Sequence, residues 1–368
     1  MIRLIYFLKN FVPKRLRKMF VSRIKIKGYR EYSNRMANPF SSESDVCTFP
    51  DSNFKMGIVY SVSQYHKFWI SACKELGVSY EIIYLSNSDW MDKLLNAKCD
   101  ALLVWSDITT QTIKTMQDER LLVIAKELKI KVYPEIDSLL LYENKRLQHY
   151  WLKANQFPVI PTKVFYDENE IEGFLSSTKL PIVMKSNLGA SASGVYIFKT
   201  RAEALKKSRE FMRKGYKLKG DATRPRQQGG LYVQEYLPGL KEWRMVRIGN
   251  SYFGHGKDMK GQFHSGSGKA NWDVPPTRLF ELLFDITERG GFSSMDVDIF
   301  EDENGNLYVN ELQALFGNSI AKEQLKMDGT PGRMLRDHNG DFHFEAGDFC
   351  RNHLCNLRLE HVIKSLGS

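Results

Sequence analysis

The sequence predicts an α/β (α+β) protein, with a small parallel β–α–β sheet domain followed by a larger domain of antiparallel strands. Two patterns carry this prediction. Short apolar runs alternate with helical stretches between residues 54 and 135, as a parallel sheet with crossover helices requires. Beyond residue 159 strand-like runs follow one another across tight turns, as antiparallel pairing allows.

The chain has 368 residues, 42% of them hydrophobic and 26% charged, enough apolar material for a true core. Its formal net charge is +10, and the location of that charge matters more than its size. Residues 1–30 hold ten Lys and Arg and no Asp or Glu, so the rest is close to neutral. The basic character therefore belongs to one segment and not to a nucleic-acid-binding surface, and no nucleic acid is expected. Leu16, Met19, Phe20 and Ile24 recur there at helical spacing beyond Pro13. That fits an amphipathic segment lying on an anionic membrane surface; the plainer alternative is a helical arm packed on its own domain or on a partner. No run of 18 apolar residues exists, and residues 1–12 are interrupted by Arg3 and Lys9 with no cleavage site after them. Neither a membrane-spanning helix nor a secretory signal is expected.

Five cysteines, an odd and scattered set, fit reduced thiols in a cytoplasmic protein, peripheral on the inner face of the membrane through residues 1–30. Cys350, His353 and Cys355 lie close together, with His343 and His361 near. Their spacing matches no common zinc pattern, and the plainer reading is a C-terminal helix with buried thiols.

Residues 31–53, rich in Ser, Asn, Pro and Asp, read as a linker. In the domain at 54–135 the strands are MGIVYSV (56–62), EIIYL (81–85), ALLVW (101–105) and KVYP (131–134). No G-x-G-x-x-G follows the first, so no dinucleotide site is expected. The second domain spans 136–330. Helices are expected near 143–155, 168–176, 201–213 and 276–289. Strands are expected at PIVMK (181–185), GVYIF (194–198), LYVQEYL (231–237), EWRMVRIG (242–249) and SYFGHGK (251–257). MDVDIF (295–300) and NLYVNEL (306–312) form a hairpin about Glu303-Asn304-Gly305-Asn306. Residues 331–368 read as a C-terminal tail and helix.

Several residues carry chemistry. Gly189, Ser191, Ser193 and Gly194 lie in a small-residue loop whose backbone N–H groups can approach phosphate oxygens; alone, such a loop is as well read as a turn. Lys185 closes an apolar strand just before it, where its charge needs a partner such as phosphate. Lys145 offers a second charge at a helix start, or is a surface lysine. In VQEYLPG (233–239), the backbone of Gln234, Glu235, Tyr236 and Leu237 can bond an adenine edge and the side chains cover its ring, unless this is merely a strand end before a turn. Glu242 can accept from ribose hydroxyls, and Arg244, two residues on and on the same face, can reach phosphate or substrate. Asp296 and Asp298 share one face of their strand, and Glu311 and Gln313 one face of the next. Mg²⁺ is held by one or two carboxylates plus ATP phosphate oxygens; the alternative is a solvated outer face.

The order of these elements resembles the ATP-grasp superfamily over about residues 136–330, and the preceding β–α unit resembles that family's N-terminal domain. ELQALFG (311–317) is similar to the family's E-x-N-x-x-x-G metal strand, with Gln313 where Asn is usual. By register Asp296 matches the other metal carboxylate, with Asp298 the alternate. EWRMVRIG resembles the acidic-x-Arg strand of the glutamate-ligase branch. SGSG (265–268) is similar to a loop in ATP-grasp proteins of bacterial surface-polysaccharide operons, although Phe263 stands where those carry Arg.

The resemblance implies an ATP-grasp fold with a two-part antiparallel-sheet ATP-binding domain, ATP and Mg²⁺ (or Mn²⁺) as cofactors, and an ADP-forming ligase that joins a carboxylate to an amine through an acylphosphate. Arg244 and Lys185 would be its catalytic residues. Lys145, Lys185, Gly189, Ser191, Ser193, Gly194, Gln234, Glu235, Tyr236, Leu237 and Glu242 would bind nucleotide, and Asp296, Asp298, Glu311 and Gln313 the metal. The implied partners are small-molecule or lipid-linked glycan substrates bearing the carboxylate and the amine. The alternatives are an ATP-grasp kinase acting on a sugar or polyol, and a non-catalytic ATP-binding regulator.

Overall fold

The computed structural model describes residues 44–108, 111–187, 194–215, 229–258, 270–272, 274–317 and 325–367. The basic segment 1–30 and most of 31–53 lie outside them. The chain forms two compact units that meet in sequence at Tyr133 and Pro134.

The first unit is a five-stranded sheet of order β1 (Val46–Cys47), β3 (Ser79–Ile83), β2 (Lys55–Val59), β4 (Ala101–Leu103) and β5 (Lys131–Tyr133). All pairs are parallel except β1 with β3. Helices α1 (His66–Glu75), α2 (Trp90–Ala97) and α3 (Gln111–Lys126) form the connections. Trp69 and Ile70 of α1 are fully buried with Met56 and Ile58 of β2, so the apolar runs in the sequence are strands buried on both sides. Gly57 is set by packing: a Cβ there would lie 2.8 Å from Leu102 Cδ1. The edge strand β1 falls in the stretch that composition assigns to a linker.

The second unit opens with α4 (Ile136–Leu141) and α5 (Lys145–Ala154). Asn144 starts α5 by accepting the Leu147 N–H on its side chain, a standard N-cap bond. A four-stranded antiparallel sheet follows, of order β6 (Thr162–Phe165), β9 (Leu231–Glu235), β7 (Ile182–Lys185) and β8 (Val195–Phe198). Its core joins Met184 and Val233 to Ile171 and Leu175 of α6 (Glu168–Ser177) and Phe211 of α7 (Arg201–Lys214).

The larger sheet has the order β14 (Leu307–Gln313), β13 (Ser294–Glu301), β10 (Lys241–Ile248), β11 (Ser251–Lys257), β16 (Thr330–Arg336) and β15 (Leu325–Met327). Two further strands attach to it, β12 (Ala270–Asn271) on β11 and β17 (Phe342–Ala346) on β16. Helix α8 (Thr277–Gly290) packs Leu279, Phe280, Leu283 and Ile286 into one core with Trp243, Met245, Val297 and Ile299. The hairpin between β13 and β14 turns where Asp302 accepts the N–H groups of Asn304 and Asn306, with Gly305 at φ +80.

Strands β16 and β17 lie in the stretch 331–368 that the sequence reads as a tail and helix. Thr330-Pro331-Gly332 reads as a turn, and Phe342–Ala346 alternates over only five residues, too little for a period-two pattern to stand out. The expected C-terminal helix is present as α9 (Cys355–Leu366).

Phe280 is 1% exposed at the centre of the larger core. Phe280→Ala is expected to cost about 3–5 kcal/mol, checked by urea unfolding of the full chain followed by circular dichroism.

Candidate active site

The polar face of the larger sheet is written in its register. Directly opposed residues of an antiparallel pair share a face. Arg244 on β10 stands opposite Asp298 on β13 and His255 on β11. Glu242 stands opposite Lys257. Asp298 faces Glu311 on β14, and Asp296 faces Gln313. The pairing shifts between Asp298–Glu311 and Ile299–Val309, so Asn310 is an extra residue in β14. This bulge lets Val309 and Leu312 both enter the core while Glu311 keeps the polar side.

These side chains form one ion network. Arg244 Nε lies 3.2 Å from Asp298 Oδ1 and 3.1 Å from Asp296 Oδ2. Lys257 Nζ bridges Asp298 Oδ2 at 2.5 Å and Glu242 Oε1 at 2.8 Å. The two aspartates respond in opposite directions. Burial raises the Asp298 carboxyl, but Arg244 and Lys257 outweigh burial and hold it below the usual carboxylate range. Burial pushes Asp296 up to about 7 against the pull of Arg244, with the Asp298 charge adding to the rise. Asp296 is fully buried, yet neither of its carboxylate oxygens accepts a hydrogen bond; the nearby Arg244 Nε is close but poorly aligned. On β11, burial lowers His255 to about 3, with the Arg244 and Lys257 charges acting the same way.

Two lysines reach this face from other elements. Lys145, the first residue of α5, places Nζ 2.7 Å from Glu311 Oε1. Lys185, the last residue of β7, donates to Asn310 Oδ1 at 2.9 Å and makes no ion pair among the described residues. The Tyr232 ring centroid lies 5.9 Å from its Nζ. Burial lowers Lys185 to about 8, and the Lys145 charge adds to the fall. Asn187 ties the two lysine-bearing elements together. Its carbonyl accepts the Lys145 N–H at 3.3 Å, and its side chain accepts the Arg146 N–H at 3.0 Å. Gln148, one turn along α5, donates to Leu312 O at 2.8 Å and accepts the Leu312 N–H at 3.2 Å. It thereby clamps β14 between Glu311 and Gln313.

The structure thus gathers Lys145, Lys185, Glu242, Arg244, Asp296, Asp298, Glu311 and Gln313. Gly194 begins the turn into β8, where its carbonyl accepts the Ser186 N–H at 2.9 Å. Gly189, Ser191 and Ser193 lie outside the described residues, as does the SGSG segment. Gln234 is buried, and its side-chain amide donates to Thr162 Oγ1 at 3.1 Å. Glu235 ends β9, and Tyr236 and Leu237 lie beyond the ladder, Tyr236 being exposed. The strand is therefore shorter than the 231–237 expected.

Sequence reasoning missed Lys257, Asn310, Asn187 and Gln148. Lys257 was visible in principle: once β10 and β11 form a hairpin about Gly249 and Asn250, Glu242 and Lys257 fall opposite each other. The bulge at Asn310 left no signal. Among the described residues no group of three or more His, Cys, Asp or Glu is arranged to hold a metal alone. Cys350 and Cys355 are buried, and His353 abuts Gly317, where an added Cβ would collide with its ring.

No protein-family model and no curated protein matches the sequence, whereas solved structures match well. N5-carboxyaminoimidazole synthetase from Staphylococcus aureus, complexed with ADP, superposes with a TM-score of 0.56 at 13% identity, covering 80% of this chain and 85% of its own. This is the ATP-grasp fold. The biotin carboxylase domain of 2-oxoglutarate carboxylase from Hydrogenobacter thermophilus, in complex with MgADP, ADP and bicarbonate, gives 0.53 at 16% identity, covering 71% and 64%. D-alanine–D-alanine ligase from Bacillus anthracis gives 0.50 at 15% identity, covering 85% and 97%. At such identities the likeness is one of fold.

Asp296 sets a pH dependence in metal-free protein. Its folded value near 7 lies above the ordinary carboxylate value of about 3.9. The folded state therefore holds the proton longer, and stability falls as pH rises from about 4 to about 7. Asp296→Asn removes that fall. The variant is expected to gain melting temperature over the parent at about pH 8 and little at about pH 5, checked by thermal melts in chelator.

Proposed function

We propose that this chain is an ATP- and Mg²⁺-dependent ligase that forms an amide from a carboxylate and an amine, releasing ADP and phosphate. The observation that carries the reading is the Asp296 carboxylate, buried with neither oxygen hydrogen-bonded, whose one ion-pair partner among the described residues, Arg244 at 3.1 Å, is shared with Asp298. A buried carboxylate is costly unless it is paired or binds a metal, and a magnesium site of this kind needs only one or two protein carboxylates beside phosphate oxygens. Asp296 and Glu311, with Gln313 beside them, fit that role. Mg²⁺, or Mn²⁺, bound there would neutralise phosphate charge. The ADP and MgADP complexes of structures sharing this fold support the same reading.

Each residue then has a physical task. Lys185, desolvated and without a carboxylate in contact, binds phosphate oxygens, and Lys145 adds a second positive charge. Gly194 and the loop before it contribute backbone N–H groups. Glu235, Tyr236 and Leu237 meet adenine at the end of β9, and the buried Gln234 braces that strand. Glu242 approaches the ribose, steadied by Lys257. Arg244 stabilises charge on the transferring phosphoryl group. A substrate carboxylate oxygen attacks the γ-phosphorus and ADP leaves. The amine nitrogen then attacks the acyl carbon, its proton is lost, and phosphate departs. Water must be excluded to protect the acylphosphate.

The carboxylate belongs to a sugar acid or a lipid-linked glycan in cell-surface polysaccharide assembly. The support is the ten basic residues of segment 1–30, suited to an anionic membrane surface, and the SGSG segment similar to that of polysaccharide-operon proteins. The protein would work in the cytoplasm against the membrane. No described helix is long and apolar enough to cross one.

Lys185→Ala is expected to weaken ATP binding by about 1.5–3 kcal/mol, the worth of one charge-assisted contact, as read by titration calorimetry. The reaction class is tested by trapping. With ATP, Mg²⁺, hydroxylamine and a panel of hexuronic and amino acids, the acylphosphate of the true substrate is intercepted as a hydroxamate and phosphate is released. A stable phosphate ester formed without hydroxamate would instead establish a kinase.

A further inference from the structure

The register of the larger sheet sets four side chains in one row across four strands. Glu311 on β14 faces Asp298 on β13, Asp298 faces Arg244 on β10, and Arg244 faces His255 on β11. Neighbouring strands lie about 4.8 Å apart. The row therefore runs from the proposed metal carboxylate, past the cation proposed for the transferring phosphoryl group, to an imidazole that the ligase reading does not use. An in-line displacement brings the attacking oxygen to the side of phosphorus opposite the leaving ADP. With metal and nucleotide at the Glu311 end, that side is the His255 end.

His255 is available to a ligand. It is 9% exposed and makes no hydrogen bond among the described residues, yet neither ring nitrogen is one of the fully buried, unbonded polar atoms. Its polar edge is therefore open. Gly256 follows it, and a Cβ there would lie 2.3 Å from Asn271 Oδ1. The glycine lets β12 lie close against β11, and this brings Trp272 to the histidine. The two ring centroids are 5.5 Å apart. Trp272 is half-buried, and the Lys326 ammonium lies 4.5 Å from its ring centroid.

The chemistry of the ligand follows from the charges. At His255 the Arg244 and Lys257 charges outweigh that of Asp298 and, with burial, lower the ring to about 3. The imidazole is therefore neutral and carries one N–H. An ammonium group would oppose the same two cations and Lys326 beyond them. A carboxylate is drawn by all of them, and it accepts the imidazole N–H. The exposed part of Trp272 offers an apolar face to the carbon skeleton that bears the carboxylate.

We propose that His255 is a further catalytic residue, whose ring N–H donates to the one oxygen of the substrate carboxylate that does not attack phosphorus. The proposal rests on the ligase reading and assigns one donor to both of its steps. In the first, the free carboxylate oxygen bonds to the γ-phosphorus, the bond from phosphorus to the bridging oxygen of ATP breaks, and ADP leaves with that electron pair. The oxygen held by His255 becomes the carbonyl oxygen of the acylphosphate. In the second, the amine nitrogen bonds to the acyl carbon and the carbonyl electron pair moves onto the held oxygen. That pair returns as phosphate departs with the proton from nitrogen. A donor already aimed at this oxygen stabilises the charge as it develops.

The test joins a binding signal to the hydroxylamine assay, both on the full chain. Histidine rings carry nitrogen-15, and the protein with Mg²⁺ and a non-hydrolysable ATP analogue is titrated with D-glucuronate, D-galacturonate and glycine, with D-glucose as the control lacking a carboxylate. The His255 ring signal, assigned by its loss in His255→Gln, is expected to shift saturably with at least one acid and not with glucose. In hydroxamate formation from that acid, His255→Ala is expected to lower kcat about a hundredfold, with a smaller change in KM. His255→Gln keeps a neutral N–H donor and is expected to stay within about tenfold of the parent. Both variants keep the parent's ATP affinity by calorimetry. Equal hydroxamate formation by the parent and His255→Ala overturns the proposal. So does equal loss in the two variants, as a proton-accepting role would give, and so does ATP affinity falling in step with activity, as a merely structural role would give. Hydroxamate formed without a shift of the His255 signal overturns it as well and leaves the ligase reading standing. A shift without hydroxamate from any acid overturns the ligase reading and leaves the carboxylate contact, and neither signal overturns both.

Discussion

The second unit's polar face depends on one carboxylate. Asp298 is 2% exposed and is held by two cations, Arg244 across the strand pair and Lys257 from the next strand. Charges this deep persist only when each is matched, because stripping water from an ion costs several kcal/mol that a close partner must offset. Removing Asp298 would strand Arg244 and Lys257. Removing Lys257 would leave both Glu242 and Asp298 short of a cation. The arrangement therefore specifies where each charge sits more than it stabilises the fold. By occupying Asp298 it leaves Asp296, two residues away on the same face, as the carboxylate whose oxygens have no hydrogen bond.

Backbone geometry makes that arrangement possible. The β14 bulge gives the strand an extra residue at Asn310, and that residue reaches Lys185 from the smaller sheet. Without the extra residue, Val309 and Leu312 could not both lie in the core with Glu311 still facing Asp298. Helix α5 then fixes β14 from one side through two residues a turn apart. Lys145 takes Glu311 and Gln148 takes the Leu312 backbone. Residues three apart share a helix face, so a single helix orientation sets both contacts. Asn187 couples this helix to the end of β7, which places the two lysines on common supports.

Much of this was legible in the sequence, and the reasons differ by element. The strands at 56–59, 182–185 and 243–248 are apolar enough to announce themselves, and the Asp302–Asn306 turn carries its own hydrogen-bonding residues. Spacing alone put Asp296 with Asp298 and Glu311 with Gln313, because side chains alternate with a period of two. The strands at 330–336 and 342–346 were not legible, since a turn-like start and a five-residue alternation look like loop. Asn310, Asn187 and Gln148 were hidden for another reason. Their roles come from backbone contacts between elements distant in sequence, and those contacts exist only after the sheets have formed. Lys257 lies between these cases, readable once the hairpin register is known and not before. The reading of 231–237 as one continuous strand ran past its end, because Tyr236 and Leu237 have strand-like side chains in a backbone that has already left the ladder.

The two lysines show how one environment can serve two tasks. Both are buried, and burial lowers both. For Lys145 the Glu311 carboxylate at 2.7 Å, helped by Glu143, more than compensates, and its ammonium is held above the ordinary value. For Lys185 the nearest polar partner is a neutral amide, the Lys145 charge works against it, and its ammonium is lowered to about 8. Lys145 is therefore already paired and acts as a strut that orients Glu311. Lys185 is the cation with most to gain from an anion, because a phosphate oxygen at hydrogen-bond distance would replace the counter-charge that the fold withholds. Desolvation makes that contact stronger than it would be at the surface, since the same charges interact more strongly where water is excluded. The fold thus commits one lysine to holding Glu311 in place and gives the other only a neutral amide, so the phosphate contact proposed for Lys185 is the one that would gain most.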